Sequence, residues 1–291
     1  MPEKLSRRSF LKRTLGFFAA VCGISAGGYY YSREMEPRLL EITNYKISDS
    51  AIPQAFNNKK IIQFSDTHLG FQYELKQLEE LIEKINSLKP DIVFFTGDLM
   101  DEPNKYQEAD QIAPILKRIQ APLGRFAIYG NHDHGGYGSD IYKSIMEDSG
   151  FTLLLNENRK LEFSGSSIGI IGIDDAMLGR PDIKLASENM DEASYNILLS
   201  HAPDLADAAS AFSINLQLSG HSHGGQIKLP FFGALVKPPH AERYYEGFYE
   251  IGRQNPLTLY VNRGLGTTRL PFRFLSRPEL TVFTLQSDSS K

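Results

Sequence analysis

The chain has 291 residues, of which 41% are hydrophobic and 23% are charged, and its formal net charge at pH 7 is −4. This length suffices for one large domain or two small ones, and the composition is that of a globular protein with a substantial core. The single cysteine, Cys22, excludes an intrachain disulfide framework and a cysteine-based zinc site. Residues 1–31 hold five basic residues and one acidic residue, which leaves 26 basic against 34 acidic residues, a net charge of −8. Such an acidic remainder argues against general nucleic-acid binding, which needs a basic surface.

The first 31 residues have the order of an export signal, because a basic stretch precedes an apolar run over residues 15–24. The sequence SRRSFLK over residues 6–12 resembles the twin-arginine signal motif. The apolar run to residue 31 is near the lower length limit of a membrane span, and no Ala-x-Ala cleavage site is present. We therefore expect residues 1–31 to be a twin-arginine signal peptide or an uncleaved N-terminal membrane anchor, and residues 38–287 to be the folded domain.

The first half of the domain alternates apolar, strand-like runs with helical patterns. Strands are predicted at residues 38–48, 60–65, 91–96 and 124–129, and helices at residues 73–88, 104–120 and 141–149. Three of these strands end in polar residues that suit metal binding: Asp66 and His68, then Asp98 with Asp101, then Asn131, His132 and Asp133. Ligands of open α/β sheets collect at the carboxyl ends of strands. Each of these motifs is weak evidence when it is considered alone.

The second half repeats this pattern after a predicted antiparallel meander over residues 151–155, 160–163 and 168–173. His201 follows a buried strand at residues 196–200, and a small helix is predicted from residue 203 to residue 211. The run 214–218 ends in Gly220, followed by His221 and His223, and neutral imidazole is the commonest metal ligand in proteins. Closing strands are predicted at residues 247–252, 257–261 and 280–285. Alternating strands and helices predict one α/β layered domain.

The five motifs together, in this order, match the signature of the calcineurin-like metallophosphoesterases, and the resemblance covers roughly residues 60–230. The leader, residues 223–231 and residues 263–266 make the chain look most similar to the secreted bacterial YkuE/YaeI-type branch. The resemblance implies a four-layer αββα sandwich of two mixed β-sheets flanked by helices. It also implies two divalent metal ions and the hydrolysis of a phosphate ester or anhydride by a metal-activated hydroxide.

Residue roles follow from the resemblance, position by position. Asp98 would bridge both metals, His132 would protonate the leaving group, and Asp133 would orient His132. Asp101 would support the site, although a turn or surface carboxylate is nearly as plausible an interpretation. The first metal would be held by Asp66, His68 and His223, and the second by Asn131, His201 and His221.

Substrate contacts are less well defined by the sequence. Arginines 263, 269, 273 and 277 form a basic stretch that would bind a second phosphate or an acidic wall polymer, or would be a solvated surface. We name Arg263, Arg269 and His134 as candidate substrate ligands. An exposed loop position is the alternative for His134. Phe231, Phe232 and nearby apolar residues would line a groove for a lipid tail or belong to the core.

Metal identity and substrate remain open at this level. Mixed nitrogen and oxygen ligands accept manganese, zinc or iron. Twin-arginine export carries folded proteins, so the metal ions could be bound before transport, which would favour manganese. Metal analysis of protein recovered from its native compartment tests this expectation. We expect an exported phosphoesterase, in the cell wall, outside the cell or on the outer face of the cytoplasmic membrane, acting on a phosphorylated small molecule, lipid or wall polymer. The alternatives are a UDP-2,3-diacylglucosamine-type pyrophosphatase and a metal-stabilised envelope-binding protein with vestigial activity.

Overall fold

The computed structural model describes residues 7–135, 138–252 and 256–288. Residues 1–6, and with them the first residue of the predicted twin-arginine motif, lie outside this range. The helices are α1 (Arg7–Tyr30), α2 (Leu75–Ser87), α3 (Ile112–Leu116), α4 (Asn131–His134), α5 (Ser139–Asp148), α6 (Ile183–Ala186) and α7 (Ala206–Ala209). The strands are β1 (Glu41–Asp49), β2 (Lys60–Phe64), β3 (Ile92–Phe95), β4 (Gly124–Ala127), β5 (Thr152–Leu153), β6 (Glu157–Phe163), β7 (Ser166–Gly172), β8 (Asn196–Leu199), β9 (Leu216–Ser219), β10 (Lys228–Leu229), β11 (Gly233–Ala234), β12 (Gly247–Ile251), β13 (Leu257–Val261) and β14 (Glu279–Ser287).

Two six-stranded mixed sheets form the centre of the domain. The first has the order β1-β14-β2-β3-β4-β5, with β14 and β2 antiparallel and the other neighbours parallel. The second has the order β12-β13-β9-β8-β7-β6, with antiparallel pairs only at its two edges. The strands β10 and β11 form a separate hairpin.

Alternating side chains along the buried strands create the layers. In β3, Val93 and Phe95 pack against the helices α2, α3 and α5, whereas Ile92 and Phe94 face the second sheet. In β8, Leu198 packs towards α6 and α7. Because successive side chains of a strand point to opposite faces, apolar residues at every position bury both faces of each sheet. The predicted α/β sandwich of two mixed sheets flanked by helices is confirmed.

This topology brings the predicted ligands to one edge of each sheet. The parallel strands β2, β3 and β4 place their carboxyl ends side by side, and so do β8 and β9 in the second sheet. Every candidate ligand follows one of these five strands within a few residues. Since the two sheets face each other across one core, the two sets of loops meet above it.

The predicted helix over residues 104–120 is largely wrong. A 3₁₀ turn, Ala109–Gln111, leads into the five-residue α3, and residues 101–108 form turns. Pro114 lies in the first turn of α3, the only place where its missing N–H costs no helical hydrogen bond. The α-helix therefore begins only two residues before this proline, at Ile112, and cannot extend over the upstream residues as predicted.

The predicted meander over residues 151–173 is correct only for its second part. The strands β6 and β7 form the expected antiparallel pair. The strand β5 instead joins the first sheet, in parallel to β4, where the amide of Leu154 donates to the carbonyl of Ala127 at 2.9 Å. The prediction of a strand here was correct. Its pairing strand is β4 because Phe151 and Leu154 are buried in the two cores on either side of the first sheet.

Helix α1 has no buried residue, and it contacts the domain at its carboxyl end and through the residues that follow it. There Tyr29 packs edge-on against Phe272, with ring centroids 5.4 Å apart, and the carbonyl of Ser32 accepts the amide of Arg273 at 2.8 Å. Among the described residues we find no helix with both the length and the apolar character that crossing a membrane requires.

Arg273 is a fully buried cation that organises the loop between β13 and β14. Its guanidinium donates to the carbonyl oxygens of Arg263, Gly266 and Ser276, and one nitrogen lies 3.3 Å from Nδ1 of His223. Burial lowers the pKa of Arg273 to about 9. Arg273 is therefore a hub of this loop: one buried cation that binds several of its carbonyl oxygens and contacts the predicted metal ligand His223.

We expect Arg273→Met to lower the free energy of unfolding by about 3 kcal/mol or more, because it leaves three carbonyl oxygens unpaired in the interior. Chemical denaturation of the full chain measures the change. Arg277→Met is the matched control, since Arg277 is exposed. Equal effects of the two substitutions would contradict the assignment of Arg273 as a hub.

Candidate metal centre

The predicted ligands lie in loops with an unusual backbone. Five of the seven have a left-handed backbone conformation, with positive φ, which residues other than glycine rarely adopt. Residues held in this region cluster at functional sites because the surrounding structure has to enforce the conformation. The five are Asp66 (φ 53°), His68 (φ 47°), Asp98 (φ 60°), His221 (φ 70°) and His223 (φ 51°).

The first cluster contains Asp66, His68 and His223, all of them buried. The Nε2 atoms of the two histidines are 3.1 Å apart, and Nε2 of His223 lies 3.5 Å from a carboxylate oxygen of Asp66. Two ring nitrogens that face each other at this distance need a shared proton or a shared cation between them. The structure thus brings together the three residues predicted for the first metal.

The second cluster contains Asp98, His201 and His221, again buried. One oxygen of Asp98, Oδ2, lies 3.3 Å from Nε2 of His201 and 3.5 Å from Nε2 of His68. This single carboxylate oxygen is therefore placed between the two clusters. Its position agrees with the predicted bridging role of Asp98.

The second ring nitrogen of three of the four histidines is fixed by an acceptor of the protein. His201 pairs with the carbonyl of Thr96 at 2.6 Å, His221 with the carbonyl of Pro239 at 2.9 Å, and His68 with the carboxylate of Asp101 at 3.2 Å. These acceptors assign the N–H to the outer nitrogen and leave the inner nitrogen with a lone pair. Metal-binding histidines are oriented in this way, so the ring orientations suit ligation.

Two buried atoms test whether a cation fits the site. Nε2 of His201 and Oδ1 of Asn131 are buried without a hydrogen-bond partner within the described structure. Such atoms are rare in native proteins, and each calls for an explanation such as a water or an ion. A divalent cation accepts lone pairs from both an imidazole and an amide oxygen. The residues present therefore fit two metal ions.

The electrostatics of the site favour neutral histidines at two positions. Burial and the neighbouring His201 lower the pKa of His221 to about 3, and burial with His68 and Arg273 lowers the pKa of His223 well below its usual value. Burial opposes protonation of His201 as well, but the Asp98 carboxylate outweighs it and raises the pKa of His201 well above its usual value. A proton and a metal ion thus compete for the position beside Asp98.

His132 lies at the solvent side of the centre, with 24% of its side chain exposed. Its amide donates to Oδ1 of Asp98 at 2.8 Å, and its Nδ1 donates to the carbonyl of Asp101 at 2.7 Å. The His132 ring stands edge-on to His68, with ring centroids 4.5 Å apart. Nε2 of His132 is left available beside the metal clusters, as a leaving-group role requires.

Asp133 does not orient His132, contrary to the sequence-based prediction. Its carboxylate accepts three backbone amides, from Asp98 and Gly130 at 2.8 Å each and from Leu99 at 3.0 Å. Burial and the nearby Asp98 raise the pKa of Asp133 to about 7 against these three donors. Asp133 therefore fixes the loop that carries Asp98, and Asp101 is the residue that holds His132.

Asp101 has a larger role than the sequence indicated. Its carboxylate binds Nδ1 of His68, its carbonyl binds His132, and the hydroxyl of Thr268 donates to the same carboxylate oxygen at 3.3 Å. Asp101 is thus a shared support for one predicted metal ligand and for the predicted acid. The motif contained Asp101, but nothing in the sequence identified Thr268, because an isolated threonine in a loop carries no recognisable pattern.

The predicted substrate contact of His134 conflicts with its surroundings. One ring nitrogen lies 2.7 Å from a carboxylate oxygen of Asp174, the other lies 2.8 Å from the hydroxyl of Ser139, and the ring stacks on Tyr129. The side chain is mostly buried, so the alternative of an exposed loop histidine is also wrong. Both nitrogens are engaged, and His134 connects the loop after β4 to the loop after β7.

The arginines that were predicted to bind a second phosphate or a wall polymer lie in different environments. Arg263 forms ion pairs with Glu41 at 2.8 Å and Glu279 at 3.2 Å, which conflicts with a role as a phosphate ligand. Arg273 is the buried hub described above. Arg269 is exposed and directly follows Thr268, which contacts Asp101, so it lies at the rim of the centre and its substrate role stays a prediction.

Comparisons with known proteins agree with this geometry. The profile of calcineurin-like phosphoesterases matches residues 59–225. The chain is 48% identical over 286 residues to the uncharacterized metallophosphoesterase YkuE of Bacillus subtilis (strain 168), covering 98% of this chain and 99% of that protein. It is 28% identical over 314 residues to the UDP-2,3-diacylglucosamine pyrophosphatase LpxG of Chlamydia muridarum, covering 87% and 92%.

Among solved structures, the protein TT1561 of Thermus thermophilus is similar with a TM-score of 0.47 at 13% identity, covering 72% of this chain and 91% of that one. The family profile spans more than half of the chain, and it begins just before β2 and ends just after the last predicted metal ligand. The chain belongs to the calcineurin-like phosphoesterase family and is a metal-dependent phosphoesterase.

Proposed function

We propose that this chain is an exported di-metal phosphoesterase that hydrolyses a phosphodiester, pyrophosphate or phosphomonoester at the cell envelope. The observation that carries the proposal is the position of Asp98, whose Oδ2 lies within 3.5 Å of histidines from both clusters. A carboxylate shared in this way offsets part of the repulsion between two neighbouring dications. The export signal and the envelope location rest on the sequence of residues 1–31 alone.

The proposed ligand sets are those that the loops bring together. Asp98 is shared between the two metal ions. Bound divalent ions would supply Lewis acidity towards the phosphoryl oxygens and a water that ionises near neutral pH. The first ion would be held by Asp66, His68 and His223, and the second by Asn131, His201 and His221.

The side chains around these ligands would position and protonate the substrate. As an imidazolium, His132 would donate the proton on Nε2 to the leaving oxygen, while Nδ1 keeps its own proton towards the carbonyl of Asp101. Burial disfavours the charged ring, but Asp98 and Asp101 outweigh it and raise the pKa of His132. Asp133 would keep the amides of Asp98 and Leu99 in place. Arg269, at the rim, would contact a second phosphate or another anionic part of the substrate.

A lipid-sugar pyrophosphate is a second candidate substrate. It is favoured by the similarity to LpxG, a UDP-2,3-diacylglucosamine pyrophosphatase by its description, over most of both chains. Manganese, zinc and iron all suit the mixed ligand set, and loading of a folded chain before export would favour manganese. The remaining alternative is an envelope-binding protein with vestigial activity. Absence of hydrolysis by a metal-loaded sample would support it.

Removal of the shared carboxylate tests the proposed function. We expect chelated wild-type protein to regain hydrolysis of bis-p-nitrophenyl phosphate when manganese or zinc is added. Asp98→Asn should remain at the level of the metal-free protein, because the bridge between the ions is lost. Asp110→Asn, a change at an exposed aspartate, is the matched control.

A folded wild-type chain that binds two metal ions and hydrolyses neither this diester nor p-nitrophenyl phosphate would be tested next on UDP-diacylglucosamine. Inactivity on all three would contradict the enzyme proposal. Activity that Asp98→Asn retains in full would contradict the assigned metal bridge.

The support that Asp101 gives to His68 predicts a loss of metal affinity. We expect Asp101→Ala to weaken binding of one of the two metal ions by about 10- to 100-fold, the usual effect of removing a hydrogen bond to a ligating histidine. Competition with a chromogenic chelator measures both affinities. Glu102→Ala, a change at the exposed neighbour, should leave both unchanged.

His132 is tested by the leaving group. We expect His132→Gln to keep two bound metal ions and to lower kcat by about 10²- to 10⁴-fold for a phenyl ester, whose leaving oxygen needs a proton. The loss should be much smaller for a p-nitrophenyl ester, whose leaving group is stable as an anion. An equal loss for both esters would show that His132 does not act as the acid.

A further inference from the structure

The hairpin of β10 and β11 ends in an exposed apolar tip, Phe231 and Phe232, and two more exposed apolar residues, Leu235 and Val236, follow β11 at the other end of the hairpin. Phe231 is fully exposed, Phe232 is 86% exposed, and the other two expose more than half of their surface. Phe231 also adopts a left-handed backbone with φ of 70°. Turns that need this conformation normally use glycine, asparagine or aspartate, and a bulky residue there is a genuine outlier. The tip thus exposes bulky apolar groups at a conformational cost.

A second apolar element leaves the domain beside this hairpin. The hairpin pairs with the loop over residues 270–275, where the amide of Lys228 donates to the carbonyl of Phe274 at 2.9 Å. The same loop receives the end of α1, through Tyr29 on Phe272 and Tyr31 edge-on to Phe274. The loop itself exposes Leu270, and α1 exposes large apolar residues along its length: Phe10, Leu11, Leu15, Phe17, Phe18 and Ile24.

The two segments that form the hairpin and the loop beside it carry only basic charged residues. The segments 226–240 and 264–278 contain two lysines, three arginines and no acidic residue, in a chain whose net charge is −4. Lys228 pairs with Glu246, and Arg273 is buried in the loop. Lys237, which follows Val236, and Arg269 and Arg277, in the segment that pairs with the hairpin, remain as exposed cations. Exposed cations next to an apolar surface match the headgroups and the interfacial region of an anionic membrane.

We propose that the hairpin tip, Phe231 and Phe232, inserts into the interfacial region of an anionic lipid bilayer. The hairpin and the end of α1 contact the same loop, and both expose apolar side chains beside a loop that carries exposed cations. This combination favours an anionic lipid surface over a single protein partner, because lipid accommodates apolar groups without matching the shape of each. Exposed apolar patches of this kind mark interaction sites. The docking needs neither metal nor hydrolysis, so it stands apart from the proposed function.

The position of the hairpin gives the docking a consequence for the metal centre. The hairpin begins three residues after Gly225, and His223 lies in the 3₁₀ turn that leads into it. The carbonyl of Pro239, just beyond the hairpin, holds Nε2 of His221. A bilayer that holds the tip would therefore hold the centre close to phosphorylated groups at the membrane surface.

The absence of tryptophan from the sequence allows a direct test of insertion. We expect Phe232→Trp in the full chain to show a blue-shifted emission with vesicles of phosphatidylglycerol and phosphatidylcholine. Bromine-labelled lipid acyl chains should quench this emission. Leu185→Trp is the matched control, because Leu185 is exposed on α6 beside the edge strand β6. Its emission should not change.

Each other outcome overturns part of the proposal. Binding of the chain to vesicles without any change at position 232 would show that α1 alone reaches the lipid. A blue shift that grows with protein concentration in the absence of vesicles would identify a second copy of the chain as the occupant. An equal response to vesicles of phosphatidylcholine alone would overturn the preference for anionic lipid.

A double substitution tests the energetic contribution of the tip. We expect Phe231→Ser with Phe232→Ser to weaken vesicle binding by about tenfold or more, the factor that corresponds to about 1.4 kcal/mol. Both side chains are exposed, so the thermal unfolding midpoint and the hydrolysis of soluble p-nitrophenyl esters should stay unchanged. Unchanged vesicle affinity would contradict the proposal, whether or not the chain hydrolyses any ester.

Discussion

The carboxylate of Asp98 is the interaction on which the metal centre depends. One oxygen accepts the amide of His132, and the other faces His68 and His201. These three histidines belong to loops after β2, β4 and β8, so a single side chain connects three strand ends and both sheets. Asp133 in turn holds the amide of Asp98. The position of one carboxylate is therefore fixed before any cation binds, and the ligands around it are arranged with respect to it.

This arrangement stores conformational strain in the loops. A residue other than glycine in the left-handed region costs about 1–3 kcal/mol, and five of the seven proposed ligands adopt it. The backbone amides of the loops offset part of this cost, since Asp133 accepts three of them and Asp66 accepts the amide of His221. Two carboxylates and four imidazoles are held within one buried space, where a pair of cations would offset the repulsion between the carboxylates.

The sequence predicted the layers and the ligands because both leave local signals. Apolar runs marked the buried strands, and polar residues at their ends marked the loops of the centre. The partners of these residues were not predictable in the same way. Carbonyl groups such as those of Thr96 and Pro239 orient histidines, and every residue has a carbonyl. The exchange of roles between Asp101 and Asp133 depends on the path of the loop, which residue types do not reveal. Arg263 and Arg273 were candidates for binding an anionic substrate because the sequence pattern does not distinguish a buried arginine from an exposed one.

The loop between β13 and β14 connects the metal centre to the exposed face. Arg273 binds the carbonyls of Arg263 and Gly266 and lies against His223, while the amide of Arg273 docks on the end of α1. The same loop pairs with the hairpin that follows His223. Hydrogen bonds between backbone groups thus connect this loop to the hairpin and to the segment that follows α1, and the buried guanidinium of the loop contacts the ring of His223. The exposed apolar tip and the buried ligand are therefore linked through one loop, and the side chain that links them is Arg273.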